Sequence, residues 1–244
     1  MNVLKLGGSV ITEKDRADTL DGEALDRAAD AIADADLADL VVVHGGGSFG
    51  HHHASQHGVS KTEGSSDAGA VVDVHGAMKT LNEFVLARLH DRGVPAVPVH
   101  PLSAAHRDVD GTLTLPTGQV ATMLDEGFVP VLHGDVVAHA GEGVTVVSGD
   151  ELSVSLARRL DADRVGFCST VPGVLDADDA VVPSIDDYDE VADVLGDSDV
   201  TDVTGGMAGK VRALLALETP AAIFGPDDLD AFLSGESPGT RVEG

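Results

Sequence analysis

Short apolar runs that end in glycine-rich turns constrain the fold of this chain most strongly. Residues 40–43 are a continuous apolar run, which is typical of a strand buried on both faces of a parallel sheet. Residues 3–6 and 164–168 are further predicted strands, and segments with helical apolar periodicity, such as 21–35, lie between the strands. Strands that alternate with helices predict an α/β fold with a mainly parallel sheet covered on both faces.

The first glycine-rich segment is Lys5-Leu6-Gly7-Gly8-Ser9, with Lys14 shortly after it. Two glycines directly after a strand allow backbone amides to approach a ligand closely. The two lysines would bring two positive charges near the same point. Taken alone, the segment is equally consistent with an ordinary turn that carries a surface lysine.

The second segment is His44-Gly45-Gly46-Gly47-Ser48-Phe49-Gly50-His51. It offers bare amides, a hydroxyl and an imidazole after a buried strand, which suits a phosphate at a helix N-terminus. Its glycine spacing formally matches a dinucleotide-binding fingerprint, which keeps a dinucleotide oxidoreductase open as the weakest alternative. That fingerprint normally follows the first strand of its unit, whereas a glycine-ended strand already precedes this one.

The third segment, 203–210, ends in Lys210 at a predicted helix start. It is not a Walker A loop, because the spacing is one residue short and Val211 replaces the required Ser or Thr. Gly134-Asp135 and Ser148-Gly149-Asp150 also follow predicted strands, where α/β sheets bind ligands. Together the segments indicate a site for several phosphates, as phosphoryl transfer requires.

Charge and lysine content support this interpretation. The net charge is −27, and only five lysines occur, three of which lie in or beside the glycine-rich segments. A compact ammonium acts as a point charge on a crowded phosphate, a role that the arginine fork fills less well. Acidic residues spread along the chain indicate adaptation to a salt-loaded cytoplasm. They also argue against a nucleic-acid partner, since such binding depends on basic contacts to phosphates.

These motifs resemble the amino acid kinase superfamily over nearly the whole chain, and the ending Ser48-Phe49-Gly50-His51 is similar to isopentenyl phosphate kinases in particular. A fosfomycin kinase branch shares the histidine. The resemblance implies a single three-layer αβα sandwich over 1–244, with an acceptor-binding lobe at about 1–147 and a nucleotide-binding lobe at about 148–244. It further implies ATP and Mg²⁺, isopentenyl phosphate as acceptor in an archaeal variant of the mevalonate pathway, and a homodimer.

The resemblance also implies roles for individual residues. The catalytic group would be Lys5, Lys14, His51 and Lys210. ATP would contact Lys5, Gly7, Gly8, Ser9, Gly47, Thr170, Gly206 and Lys210, and the acceptor would contact Gly46, Gly47, His51, Gly149 and Asp150. No protein metal ligand is expected. The segment 169–173 departs from the family's Thr-Asp-Val-Asp-Gly pattern, since it lacks both acids, and this puts the nucleotide contacts there in doubt.

Other residues carry weaker predictions. Val72, Met78, Leu81 and Val85 are weak candidates for an apolar slot that holds an isoprenoid tail, because residues of this kind more often belong to the plain core. His52 and His53 are expected to be solvated, because consecutive histidines cannot easily face one ion. Cys168 is expected to be a small hydrophobe in a buried strand.

The sequence leaves two alternatives to the phosphorylation of isopentenyl phosphate, and the first of them keeps the same fold. One is a kinase for another small acceptor, such as fosfomycin or an amino acid, and the other is a nucleotide-binding regulatory module without turnover. The chain shows no run of about 18 apolar residues and no signal-peptide pattern, so a cytoplasmic protein without a membrane partner is expected.

Overall fold

The computed structural model describes residues 1–35, 37–195 and 206–244. The strands are β1 Asn2–Leu6, β2 Leu40–His44, β3 Ala96–Val99, β4 His106–Arg107, β5 Leu113–Thr114, β6 Val129–His133, β7 Asp135–His139, β8 Gly143–Val147, β9 Arg164–Cys168, β10 Ser184–Ile185, β11 Ala221–Phe224 and β12 Thr240–Val242. The helices are α1 Gly8–Ile11, α2 Gly22–Ala35, α3 Gly47–Gln56, α4 Ala68–His90, α5 Pro101–Ala104, α6 Gly118–Asp125, α7 Gly149–Arg159, α8 Ala192–Leu195, α9 Gly206–Leu215 and α10 Leu229–Leu233, with short 3₁₀ turns at Tyr188–Glu190 and Pro226–Asp228.

An eight-stranded sheet forms the centre, in the order β10-β12-β11-β9-β1-β2-β6-β3. The pairs from β11 to β3 are all parallel, and β12 is antiparallel to β11. The prediction of an α/β fold with a mainly parallel sheet is confirmed. Strands from residues 1–147 occupy one half of this sheet, and strands from residues 148–244 occupy the other.

Alternate residues of the central strands point to opposite faces, and each face carries its own helices. Leu4 and Val42 pack in a cluster with α2, α4 and α10, whereas Val3 and Val41 pack with α6, α7 and α9. The central strands are buried on both sides, which explains why they are mostly apolar and do not alternate with polar residues. The molecule is therefore a three-layer αβα sandwich.

A second, four-stranded sheet of order β5-β4-β7-β8 lies beside the central one. The dipeptide Asp110-Gly111 between two short extended segments predicts a hairpin over 107–115, and the antiparallel β4–β5 pair confirms it. Arg107 joins this sheet to α7 through two contacts to the Glu151 carboxylate, at 2.5 and 2.8 Å. This small sheet thereby fixes the strand end that leads into α7.

Two local predictions are wrong. Residues 45–50 are predicted as a turn, but α3 begins at Gly47. The positive φ of +50° at this glycine is a turn conformation, so the turn is completed within one residue and the helix follows directly. The sequence of the last short segment, Thr240–Val242, predicts a strand at the edge of the sheet, but the two-residue strand β10 pairs outside it. Among the described residues, no helix combines the length and the apolar character that crossing a membrane requires.

Candidate active site

The glycine-rich turns meet at the carboxyl ends of β1, β2, β6 and β9. The amide of Gly7 donates to the Cys168 carbonyl at 2.8 Å, and the amide of Gly45 donates to the Leu6 carbonyl at 2.9 Å. Gly134 likewise donates to the His44 carbonyl at 2.9 Å. Because these strands are parallel neighbours, the loops that follow them lie side by side at one edge of the sheet.

The first two loops pack backbone against backbone. A Cβ atom at Gly8 would collide with the amide nitrogen of Gly47, so only glycine permits this approach. Thr12 links the two loops: its hydroxyl donates to the Gly8 carbonyl at 2.9 Å and accepts from the Ser48 amide at 3.0 Å. The two loops therefore pack as one unit, and this unit forms the floor of the cavity described next.

A cavity of about 970 Å³ opens above this floor. All the site residues named from the sequence line it: Lys5, Gly7, Gly8, Ser9, Lys14, Gly46, Gly47, His51, Gly149, Asp150, Thr170, Gly206 and Lys210. The remainder of the third motif, 203–205, lies outside the described residues. The structure thus brings the predicted residues of all three glycine-rich segments to a single site.

Three helices of ten or eleven residues begin at this cavity. Gly47, Gly149 and Gly206 are the first residues of α3, α7 and α9, and all three line it. The first amides of a helix lack internal partners, and the helix dipole adds partial positive charge there. Helix starts that converge on one cavity favour an anionic ligand.

The charged centre of the cavity is a lysine–aspartate–lysine group. The Asp150 carboxylate lies 2.7 Å from the Lys5 ammonium and 3.4 Å from the Lys210 ammonium. Lys5 and Asp150 are only 6% and 7% exposed. Burial opposes ionisation of Asp150, but the two ammonium groups outweigh burial and hold the pKa of Asp150 below its ordinary value. With one carboxylate for two ammonium groups, the trio keeps a net positive charge.

Lys14 and His51 stand at the exposed side of the same cavity. Lys14 lies in the loop between α1 and α2, and it makes no ion pair or hydrogen bond within the described part of the chain. His51 lies in the second turn of α3. Lys14 is therefore positioned to meet a ligand that enters the cavity, whereas Lys5 and Lys210 already share a carboxylate.

One part of the cavity wall is apolar, formed by Ala54, Val74, Met78 and Val146. The prediction from the sequence that four residues form an apolar slot is only partly correct. Of its four residues Met78 lines the cavity, Leu81 and Val85 are buried in the core, and Val72 is 70% exposed on the outer face of α4. Val74 was missed, although it precedes Met78 by four residues and so shares its helical face.

Asp135 is a polar residue of the cavity that sequence analysis noted at a strand end but did not place in the site. Its carboxylate lies 2.8 Å from Nδ1 of His75 and accepts from the Val136 amide at 2.9 Å. Burial raises the pKa of Asp135, and its contacts with His75 oppose that rise. Its position directly after Gly134, at the end of β6, was the sequence feature from which its place in the site could have been predicted.

The expectation for His53 is wrong. Its side chain is only 18% exposed and lies between the carboxylates of Asp18 and Asp73. Cys168, by contrast, is buried in β9 as expected, and burial raises the pKa of its thiol to about 12.

The fold and the cavity define an α/β protein in which three lysines and three helix starts converge on one site. A family model described as the amino acid kinase family matches residues 1–220. An isopentenyl phosphate kinase from Haloferax volcanii is 63% identical over 243 residues, covering 99% of this chain and 98% of that protein.

A second isopentenyl phosphate kinase, from Methanothermobacter thermautotrophicus, is 34% identical over 270 residues, covering 100% of this chain and 99% of that protein. A solved structure titled "X-ray structures of isopentenyl phosphate kinase" aligns with a TM-score of 0.86 at 30% identity and covers 99% of both chains. The chain therefore belongs to the amino acid kinase family and, within it, to the isopentenyl phosphate kinases.

Proposed function

We propose that this chain transfers the γ-phosphoryl group of ATP to isopentenyl phosphate and produces isopentenyl diphosphate for isoprenoid biosynthesis by an archaeal variant of the mevalonate pathway. The observation that carries the proposal is the convergence of Lys5, Lys14, Lys210 and His51 on one cavity with three helix starts. The Haloferax and Methanothermobacter relatives bear the name of this activity over their full length.

The lysines would supply most of the catalysis. The transferred phosphoryl group carries several negative charges, and donors fixed in advance stabilise that charge without reorganising during the reaction. Lys5 and Lys210 are held by Asp150 and would contact the phosphates of ATP. Lys14 would approach the group in transfer, with Gly8 and Gly47 supplying amides. Gly7, Ser9, Thr170 and Gly206 would complete the nucleotide side.

The acceptor needs no catalytic base. A monophosphate has a second pKa of about 6, so it already offers an anionic oxygen near neutral pH. The remaining difficulty is repulsion between two anions. His51 would donate a hydrogen bond to the acceptor phosphate, and Gly46, Gly47 and Gly149 would line its site. The apolar wall beside them would receive the isoprenoid tail.

Magnesium would enter as Mg-ATP. The described residues contain no group of three or more His, Cys, Asp or Glu side chains arranged to hold a metal ion. The two buried carboxylates of the cavity are also engaged, Asp150 by two lysines and Asp135 by His75. Mg²⁺ commonly binds through substrate phosphates and waters, which is consistent with this donor set.

The arrangement of lobes and the assembly are also part of the proposal. Residues of about 1–147 would bind the acceptor and those of about 148–244 the nucleotide, in line with the two halves of the central sheet. A cytoplasmic homodimer would be the working form. Val72 and Phe84 of α4, which are 70% and 39% exposed beside a second cavity, support a subunit contact on that face.

A coupled ADP-release assay in molar KCl tests the activity. Mg-ATP is offered with isopentenyl phosphate, dimethylallyl phosphate, fosfomycin or a panel of amino acids, and preferential turnover of isopentenyl phosphate is expected. Turnover of another acceptor would retain the fold but change the function. ATP binding without any turnover would point to a regulatory module.

His51→Ala tests the acceptor site. We expect lower turnover and weaker acceptor binding with nearly unchanged ATP affinity, because the imidazole would contact the phosphate of the acceptor and not those of ATP. His106→Ala, which removes an exposed histidine of β4, is the control. Wild-type activity in His51→Ala would refute the assignment.

A further inference from the structure

The loop that carries Lys14 is attached to the rest of the protein at two points. We define the Lys14 loop as residues 13–19, between α1 and α2. Its base is closed by a bridge between Thr12 and Leu20 and by hydrogen bonds of Thr19 with the Ser48 hydroxyl at 3.2 and 3.3 Å. The second attachment is a side-chain contact from Asp18, four residues after Lys14.

Asp18 contacts His53, a residue of α3 on the opposite side from His51. Nε2 of His53 lies 3.1 and 3.2 Å from the two carboxylate oxygens of Asp18. Nδ1 of the same ring lies 2.8 Å from the Asp73 carboxylate of α4. Residues two apart on a helix point in nearly opposite directions, so His51 faces the cavity while His53 joins the loop to α4.

The geometry requires two N–H donors on one ring. A neutral imidazole has one N–H group, whereas the imidazolium has two, and carboxylates are acceptors when ionised. Only the protonated ring therefore satisfies Asp18 and Asp73 together. The other titratable groups around His53 are His57, whose Nε2 lies 2.8 Å from the same Asp73 oxygen, and His52, whose ring lies 5.4 Å away and perpendicular.

The electrostatic environment agrees with the geometry. Burial lowers the pKa of His53, but the hydrogen bonds and charges of Asp73 and Asp18 outweigh burial and raise that pKa above its ordinary value. Asp18 also adopts a positive φ of +49°, a conformation that costs free energy for a residue other than glycine unless other contacts hold it. The contact with His53 is such a restraint.

We propose that His53, in its imidazolium form, is a positioning residue that fixes the Lys14 loop to α3 and α4 and so holds Lys14 at the cavity. Deprotonation of His53 would remove one of the two hydrogen bonds and release the tip of the loop. The inference rests on the proposed role of Lys14 in phosphoryl transfer. It adds a second function to α3, which carries His51 on one face and this restraint on the other.

A double-mutant cycle tests the proposal. His53→Ala should lower kcat roughly ten-fold, the size expected for loss of one charge-assisted hydrogen bond, with little change in KM for the acceptor. In a Lys14→Ala background the same substitution should have almost no further effect, because its only route to the reaction is through Lys14. Equal, additive losses in both backgrounds would overturn the proposal and indicate a merely structural role.

The pH dependence provides a separate readout. The contact that fixes the Lys14 loop to α3 and α4 needs protonated His53. The kcat of the wild type should therefore fall as the pH rises through the raised pKa of His53. That alkaline decrease should be absent from His53→Ala and from Lys14→Ala. It should persist in His57→Ala, the matched control, which removes a histidine contact to the same Asp73 but leaves the loop attached. An unchanged alkaline decrease in His53→Ala would contradict the proposal.

Hydrogen exchange of the Lys14 loop separates this inference from the proposed function, because it needs no turnover. At one fixed pH, amides of residues 13–19 should exchange faster in His53→Ala than in the wild type and should be unchanged in His57→Ala. Asp18→Ala, which removes the acceptor oxygens of an exposed loop residue, serves as the second variant if His53→Ala folds poorly. Wild-type exchange in Asp18→Ala would refute the attachment of the loop through His53 even if isopentenyl phosphate proved to be the acceptor.

Discussion

His44 should make the protein sensitive to mild acid. It is the last residue of β2 and is fully buried, with Nδ1 3.1 Å from the Gly45 carbonyl and Nε2 3.1 Å from the side-chain amide of Asn82. The Asn82 Nδ2 group otherwise has no partner, so turning this amide by 180° lets it donate to Nε2 of a neutral ring whose Nδ1 donates to Gly45. The buried ring of His133 lies 5.6 Å away. Burial lowers the pKa of His44 to about 4, and its hydrogen bonds only partly offset that effect. The folded state therefore holds this histidine neutral where an unfolded chain would protonate it.

The sign and size of the effect follow from linkage. The folded pKa is below the unfolded value of 6.5, so stability is complete above pH 6.5 and is lost as the pH falls toward 4. Each pH unit in that window costs about 1.4 kcal/mol, which gives about 3 kcal/mol for His44 alone. The pKa of His133 is also lowered by burial, and the cost of leaving it neutral has the same sign.

Urea unfolding followed by circular dichroism measures this cost, because urea is uncharged and leaves a molar KCl background unchanged. The free energy of unfolding of the wild type should fall between pH 6.5 and pH 4 more steeply than that of His44→Gln. The two slopes should differ by about 1.4 kcal/mol per pH unit. His106→Gln, at an exposed position of β4, should keep the wild-type slope. Equal slopes for the wild type and His44→Gln would refute the reasoning.

Two further substitutions address the phosphate-binding machinery. Asp150→Asn leaves the Lys5 charge buried without its counter-ion, so urea unfolding should show a loss of about 3 kcal/mol, together with lower turnover; unchanged stability would mean that Lys5 is neutral or solvated there. Gly47→Ala places a Cβ against the Thr12 hydroxyl and the Gly8 carbonyl at a φ of +50°, so it should destabilise the protein by at least about 1 kcal/mol and reduce kcat/KM for ATP. An alanine variant with a wild-type melting temperature and wild-type kinetics would show that the two loops are not rigidly packed.

The site could be predicted from the sequence because of the topology of a parallel sheet. The ends of β1, β2 and β9 are far apart in the chain, yet parallel pairing puts them at one edge. Once the apolar runs are assigned to such a sheet, every glycine-rich turn after a strand must lie at that edge. The residues of those turns are therefore predicted together although no direct signal connects them.

The predictions that are wrong depend on contacts that no local pattern shows. His53 is partnered by Asp18 and Asp73, which are 35 and 20 residues away in the chain. Val72 is apolar, but the helical phase that buries Met78 leaves Val72 on the outer face. The short strand β10 has only two residues and carries no periodic signal, so the edge of the sheet could not be located.

The structure explains how so acidic a chain can hold phosphates with only a few lysines. The chain has 15 basic and 42 acidic residues, whereas three lysines and three aspartates line the cavity, so the site is far less acidic than the molecule as a whole. At molar salt, a condition that fits the acidic composition and the similarity to the Haloferax protein, the Debye length is about 3 Å. Charges on the distant surface are then screened, and only groups within contact distance act on a bound phosphate. A strongly acidic exterior can therefore coexist with anion binding, provided that ammonium groups are held in the cavity itself, as Asp150 holds Lys5 and Lys210.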